Sequence, residues 1–290
     1  MSTRILIIGS GAVGAAFGHH LVQAGCQVNY LVRSRKSSNS VMPRELHRYR
    51  FPSDALDSDW LKKQLSVFDS DTPLISWTPD FGDHARLAAI YPGPVQHGLI
   101  GLISFHTPLP GTSQPGDGFG YLLPPRSAVL DNSRAGQQAA ALLRAGGMPS
   151  ASIDHLDWFG ARATALNINA IAALEICDWS LREVRRSVHL QTACAAAREA
   201  IIISAAYLNR DAGLAAQLPR PLLLKTLTAL APKVMPFPLE TYLKYHFSKV
   251  GEQTRMMLDN WIREGTSRSL PVGALSELRQ QLTDGPKAGA

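Results

Sequence analysis

Residues 5–36 read ILIIGSGAVGAAFGHHLVQAGCQVNYLVRSRK. Arg4–Ile8 is a short β-rich run of the kind that forms a buried parallel strand. Gly9-Ser10-Gly11-Ala12-Val13-Gly14 follows at once, in the pattern G-x-G-x-x-G. A helical pattern over Ala15 to Ala24 comes next and is stopped by Gly25. Gln27–Val32 reads as a second strand. The glycines therefore lie at the first strand–helix turn of a complete βαβ unit. Gly9 permits the tight turn, Gly11 lets backbone approach a diphosphate, and Gly14 lets helix and strand pack closely. The start of the helix, with its free N–H groups and positive dipole end, suits phosphate. The pattern predicts a dinucleotide site built from Gly9, Ser10, Gly11, Ala12, Val13 and Gly14.

The end of the second strand indicates which dinucleotide. An NAD site places Asp or Glu there for the ribose 2′-hydroxyl. Here the strand runs into Arg33-Ser34-Arg35-Lys36, with three cations and no carboxylate. Arg33, assisted by Arg35 or Lys36, would pair with a 2′-phosphate, a contact worth on the order of 1.5–3 kcal/mol. The expected cofactor is NADP, as NADPH.

The whole chain sets the limits of the reading. It has 290 residues, is 45% hydrophobic and 18% charged, and carries a net charge of +6. That length allows one large domain or two ordinary ones. The cations are scattered rather than arrayed in a stripe with aromatics, so no nucleic-acid partner is expected. Cys26, Cys177 and Cys194 are odd in number and far apart, and form no metal-ligand pattern. They read as buried free thiols in a reducing compartment. Ile5–Ile8 is too short for the hydrophobic segment of a signal peptide, and Ala163–Ile176 is too short and polar to span a bilayer. The expected location is the cytoplasm, with no membrane partner.

The remainder divides by composition. Residues 37–59 are polar and irregular, and Trp60–Val67 can form a short helix. Pro73–Trp77 reads as a strand, Asp83–Ile90 as a helix, and Val95–Phe105 as a buried strand. A Pro/Gly-rich loop over Pro108–Gly120, a helix over Ser133–Ala145 and a strand over Ser150–Ile153 follow. Beyond Asp154 the pattern is almost wholly helical, broken by Pro219, Pro221, Pro232, Pro236 and Pro238. The expected fold is α/β: a Rossmann-type parallel-sheet nucleotide-binding domain over residues 1–153, then an all-helical domain over 154–284 for substrate and dimerisation. Residues 285–290 read as a disordered tail. Asn167 and Asn169 sit in an apolar helix, Asn167 as a paired core residue and Asn169 facing a cleft. Trp60, Trp77, Trp158 and Trp179 read as packing residues.

The glycine motif and the spacing from Gly25 to Arg33 resemble the ketopantoate reductase (2-dehydropantoate 2-reductase) family. Gly98–His106 followed by Gly118–Leu123 resembles that family's strand hairpin, and residues 156–186 and 247–280 resemble its helical half. The resemblance implies a reductase that passes hydride from NADPH to the carbonyl, or an imine, of a small acid, as in pantothenate biosynthesis. It also implies Arg33 on the 2′-phosphate. The chain departs from the family at the reacting end. The family's proton-donating lysine falls on Ala161 and its first asparagine on Ala165, while the second matches Asn169. Its substrate-binding asparagine falls on Pro79, and its glutamate on Gly251, beside Glu252.

His246, Lys249 and Glu252 are spaced three apart, so a continuous helix would bring them together. Lys249 could then give the proton and Glu252 orient it, with Tyr242 and Tyr245 as further donors. The expected catalytic set is Lys249, Glu252 and Asn169, with no metal. The substrate would be a small keto acid or imine, and the protein a homodimer. The alternative is an NADP(H)-binding sensor or partner-binding protein with a decayed active site.

Overall fold

The computed structural model describes residues 3–8, 11–31, 65–66, 68, 71–78, 80, 82–113 and 118–282. Gly9, Ser10, Arg33, Pro79, the Trp60–Val67 expectation apart from Leu65 and Ser66, and the expected tail lie outside them. By its contacts the chain divides into two compact units. Among the described residues, those up to Thr78 and those over 84–156 form the first; Asp80, Gly82, Asp83 and those over 157–282 form the second.

The first unit opens with β1 (Arg4–Ile8), α1 (Ala12–Gln23) and β2 (Gln27–Leu31). β1 and β2 pair in parallel, with Arg4 opposite Gln27 and Ile8 opposite Leu31. The helix begins three residues earlier than the apolar pattern indicates. Gly11 takes the N-cap position with extended backbone, and its carbonyl accepts from the Ala15 N–H at 2.9 Å. At the other end Gly25 adopts φ +81°, with Gly25 N–H on the Val22 carbonyl and Cys26 N–H on the Leu21 carbonyl. This double bond pattern is the usual glycine stop of a helix, and it aims the chain into β2.

β3 (Leu74–Ser76), α2 (Asp83–Ile90), β4 (Val95–Ile100), β5 (Ile103–Thr107), β6 (Gly118–Leu122), β7 (Ala128–Asp131), α3 (Arg134–Ala145) and β8 (Ser150–Ile153) follow. Four of these strands form one sheet in the order β3-β4-β7-β8. β3/β4 and β7/β8 are parallel, whereas β4/β7 is antiparallel. The expected single strand Val95–Phe105 is in fact two. The N–H groups of Gly101 and Leu102 both donate to the Ser127 carbonyl, at 2.9 Å each, which turns the chain out of the sheet. β5 then pairs antiparallel with β6, and so the expected loop Pro108–Gly120 ends in strand from Gly118. This is the hairpin that the family resemblance implied. Ser133 caps α3, its Oγ accepting from the Gly136 N–H at 3.0 Å. Phe17 and Leu21 of α1, Leu130 of β7 and Leu143 of α3 fill the core of this unit, with Trp77 against Phe17.

From Leu156 onward the described residues form only helices: α4 (Leu156–Ile176), α5 (Leu181–Arg186), α6 (His189–Tyr207), α7 (Pro221–Val234), α8 (Leu239–Lys249), α9 (Gly251–Ser267) and α10 (Gly273–Gln281), with a 3₁₀ turn at Gly213–Gln217. Alanines of α4 and α6 share one core with Met257, Leu258 and Trp261 of α9. Buried Trp261 donates to Ser204 Oγ at 3.0 Å. Trp179 sits in a second cluster with Leu181, Val184 and Leu190. No described helix is long and apolar enough to cross a membrane. The three cysteines are free; Cys26 and Cys194 are buried and Cys177 is half-buried.

Pro232 does not break the chain as expected; it lies inside α7. A proline there leaves the carbonyl four residues back without its helical donor. That carbonyl belongs to Thr228, and Arg185 Nη1 donates to it at 2.9 Å.

Candidate functional site

The start of α1 has the form a diphosphate needs. Gly11 caps α1 without a side chain, and the first turn of the helix carries no acidic residue. The leading N–H groups of such a helix have no partner within the helix. A Cβ built on Gly11 meets nothing within 4 Å, so the space beside its Cα is open. The described part of the motif, Gly11, Ala12, Val13 and Gly14, thus fits a dinucleotide phosphate on backbone donors and the helix dipole.

Tyr30, on β2, holds this helix in place. Its hydroxyl donates to the Gly14 carbonyl at 3.4 Å, and its ring lies against Gly18. Burial pushes the Tyr30 phenol above its ordinary pKa, so it stays protonated as a donor. Gly18 was missed in the sequence, although its place one turn after Gly14 is the available signal.

The substrate-side candidates lie in the helical unit, in two places. Asn169, in α4, is wholly buried. Its Nδ2 donates to the Ala165 carbonyl at 2.7 Å, and its Oδ1 has no partner. Ala161 and Ala165 are buried as well, so the positions that align with the family's lysine and first asparagine carry packed methyl groups. Asn167 points the other way and is exposed, contrary to the expectation of a core residue.

His246, Lys249 and Glu252 do not share one helix face. α8 ends at Lys249, Val250 leaves helical geometry with φ −116° and ψ 20°, and α9 starts at Gly251. Glycine is a poor helix interior residue, and here it sits at a junction instead. Lys249 Nζ stands over the Tyr245 ring, 3.2 Å from its centroid. His246 packs against Tyr242 and Phe247, and burial first, then the neighbouring Lys249, holds it below its ordinary pKa. Burial pushes the Tyr242 phenol up to about 12. Glu252 is exposed in the first turn of α9.

Two polar constellations in this unit escaped the sequence. Arg255, almost fully buried in α9, pairs with Glu175 of α4 at 2.6 Å and donates to the Gly251 carbonyl at 2.9 Å. Glu175 Oε2 is buried and has no partner. Asp80 is also buried; it accepts from Asn260 Nδ2 and from the Gly82 N–H, while Arg263 donates to Asn260 Oδ1. Both join residues more than 70 positions apart, which no local spacing reveals. Among the described residues no His, Cys, Asp or Glu cluster could hold a metal ion.

Comparison with known proteins places these features. The family model described as Ketopantoate reductase PanE/ApbA matches residues 5–55. No curated protein matches the chain. Among solved structures, a PanE/ApbA family ketopantoate reductase from Ralstonia eutropha JMP134 is 16% identical with a TM-score of 0.64, covering 96% of each chain. A 2-dehydropantoate 2-reductase from Geobacter metallireducens GS-15 is 15% identical with a TM-score of 0.66, covering 97% of this chain and 99% of that one. A D-mandelate dehydrogenase solved with NADH is 12% identical with a TM-score of 0.66, covering 96% of this chain and 97% of that one. The resemblance seen in the glycine motif therefore extends to the whole architecture: the chain has the fold of the ketopantoate reductases, and its opening strand–helix–strand stretch is matched by that family's model.

Proposed function

We propose that this protein is an NADPH-dependent reductase that acts on a small 2-keto acid, or the corresponding imine. The observation that carries the reading is the side-chain-free start of α1 at Gly11, inside the segment that matches the ketopantoate reductase family. The D-mandelate dehydrogenase of the same fold is solved with NADH and with anilino(oxo)acetate, a 2-oxo acid derivative, which supports the substrate class. Arg33 and the lack of a carboxylate after β2 favour NADPH over NADH.

A dinucleotide held by Gly11, Ala12, Val13 and Gly14 would supply the hydride for a carbonyl carbon, and the carbonyl oxygen would need a proton from the protein to give the 2-hydroxy acid. Lys249 is the proton donor in this reading. His246, held below its ordinary pKa by burial and then by Lys249, neighbours Lys249 on α8.

The test is a fluorescence titration of NADPH and NADH, followed by a panel of 2-keto acids and imines. Tight NADPH binding with turnover supports the reading. NADPH binding without turnover on any member would make the chain a nucleotide-binding protein that is not a reductase. Arg33→Ala should weaken NADPH about 10-fold or more, as expected for one charge-assisted contact, and leave NADH little changed. Equal losses for both would remove the 2′-phosphate assignment.

A further inference from the structure

Four arginines lie on α9, just after it, and on α10: Arg255, Arg263, Arg268 and Arg279. Three of them have a carboxylate. Arg255 pairs with Glu175 at 2.6 Å, Arg268 with Glu264 at 2.6 Å and Arg279 with Asp259 at 2.9 Å. Asp259 and Glu264 are the acids nearest Arg263 along α9, and both are taken. Among the described residues Arg263 pairs with no carboxylate; its Nη2 donates instead to a neutral oxygen, Asn260 Oδ1. A guanidinium offers five N–H donors in a planar fork, so most of this one is left over.

The amide that holds Arg263 is itself fixed from inside. Asn260 and Asp80 are 7% and 4% exposed, whereas Arg263 is at the surface. Asn260 Nδ2 donates to Asp80 Oδ2, which orients the amide and turns its Oδ1 toward Arg263. Asp80 Oδ1 accepts from the Gly82 N–H at 3.0 Å. The bond between Asp80 and α9 does not need the arginine, because water satisfies an amide oxygen at a surface. Two buried polar groups thus hold one exposed guanidinium in a single direction. Ordering a long side chain at the moment of binding costs affinity, so a cation already held is preorganised for a ligand. Its partner is also neutral, which leaves the positive charge whole for an anion. Asp80 comes four positions after Ser76, the last residue of β3. β3 runs parallel to β4, and ligands of such sheets bind beyond the carboxyl ends of the strands.

We propose that Arg263 receives the carboxylate of the 2-keto acid, and that Asn260 and Asp80 are its positioning residues. The inference rests on the reductase reading, in which no other group meets that carboxylate. A planar fork matches a carboxylate at two points, as a lysine ammonium does not.

The test is calorimetric titration of the full chain with anilino(oxo)acetate and with its uncharged primary amide, each with and without saturating NADPH. The wild type should bind the acid ~10–100-fold more tightly than the amide, as expected for a charge-assisted contact. Arg263→Ala should bring the two ligands within a few-fold of each other by weakening the acid alone, with NADPH affinity unchanged. Arg263→Lys keeps the charge without the fork and should regain only part of the preference. Asn260→Leu/Asp80→Leu removes both buried partners together, and should lower the preference while the helical circular dichroism is kept. A preference for the acid that survives Arg263→Ala overturns the inference, as does a wild type that binds NADPH but not the acid. That second result leaves the nucleotide reading standing. Loss of NADPH binding in the wild type removes the nucleotide reading instead, and acid binding that still depends on Arg263 would then support the anion site alone.

Discussion

The Tyr30 hydroxyl occupies the place where a Cβ on Gly18 would lie, with the ring Cζ 2.7 Å from it. β2 therefore reads the bare backbone of α1 one turn beyond the glycine motif. Gly18→Ala should lower stability by about 1–3 kcal/mol, despite the better helix propensity of alanine, because the ring must move. Adding Tyr30→Phe removes the nearest atom and should recover part of that loss. Urea midpoints of the three variants decide it; a Gly18→Ala protein as stable as wild type would contradict this packing.

Asn169 tests whether a family-matched position still serves function. Its buried Oδ1 has no partner, an arrangement that costs about 1–3 kcal/mol. Asn169→Leu has similar shape and should leave stability unchanged or raise it. If Asn169 also receives the substrate, KM for the best keto acid should rise in the same variant. Lost stability would mean that the amide is a structural requirement of α4.

The Arg255–Glu175 pair predicts the opposite behaviour. Removing the cation leaves a largely buried carboxylate alone, so Arg255→Met should cost about 3–5 kcal/mol. Arg255→Met combined with Glu175→Leu should recover most of the loss. A double variant no better than the single one would show that the guanidinium's bond to the Gly251 carbonyl is the main contribution.

His246 gives a pH dependence of known sign. Burial and Lys249 depress its folded pKa below the ordinary value near 6.5. Below that ordinary value the unfolded chain takes up a proton that the folded chain resists. This share of stability is full above about pH 6.5 and is lost as pH falls toward the depressed value. His246→Phe should flatten the stability profile between pH 7 and 5, measured by thermal unfolding across that range. An unchanged slope would place the titration elsewhere.

The opening βαβ unit was legible because its determinants are local. Gly11 and Gly25 sit at the two ends of one helix, and each acts through its own backbone. The kink at Gly101 depends on the Ser127 carbonyl, and the survival of α7 past Pro232 depends on Arg185, so neither can be read from neighbouring residues. Asn169 was legible as a position but not as a state, because its amide turns back onto its own helix. The grouping of Lys249 with Glu252 assumed one continuous helix, and Val250 breaks it.

Asp80 lies between β3 and α2, yet its carboxylate is held by Asn260, 180 residues later, and it belongs to the helical unit. The chain therefore visits that unit long before it enters it at Asp157. A gene cut at residue 156 would not yield two self-sufficient halves, because the N-terminal fragment would keep an acid whose partner was left on the other piece. Fragment complementation, rather than independent folding, is the behaviour such a split should show.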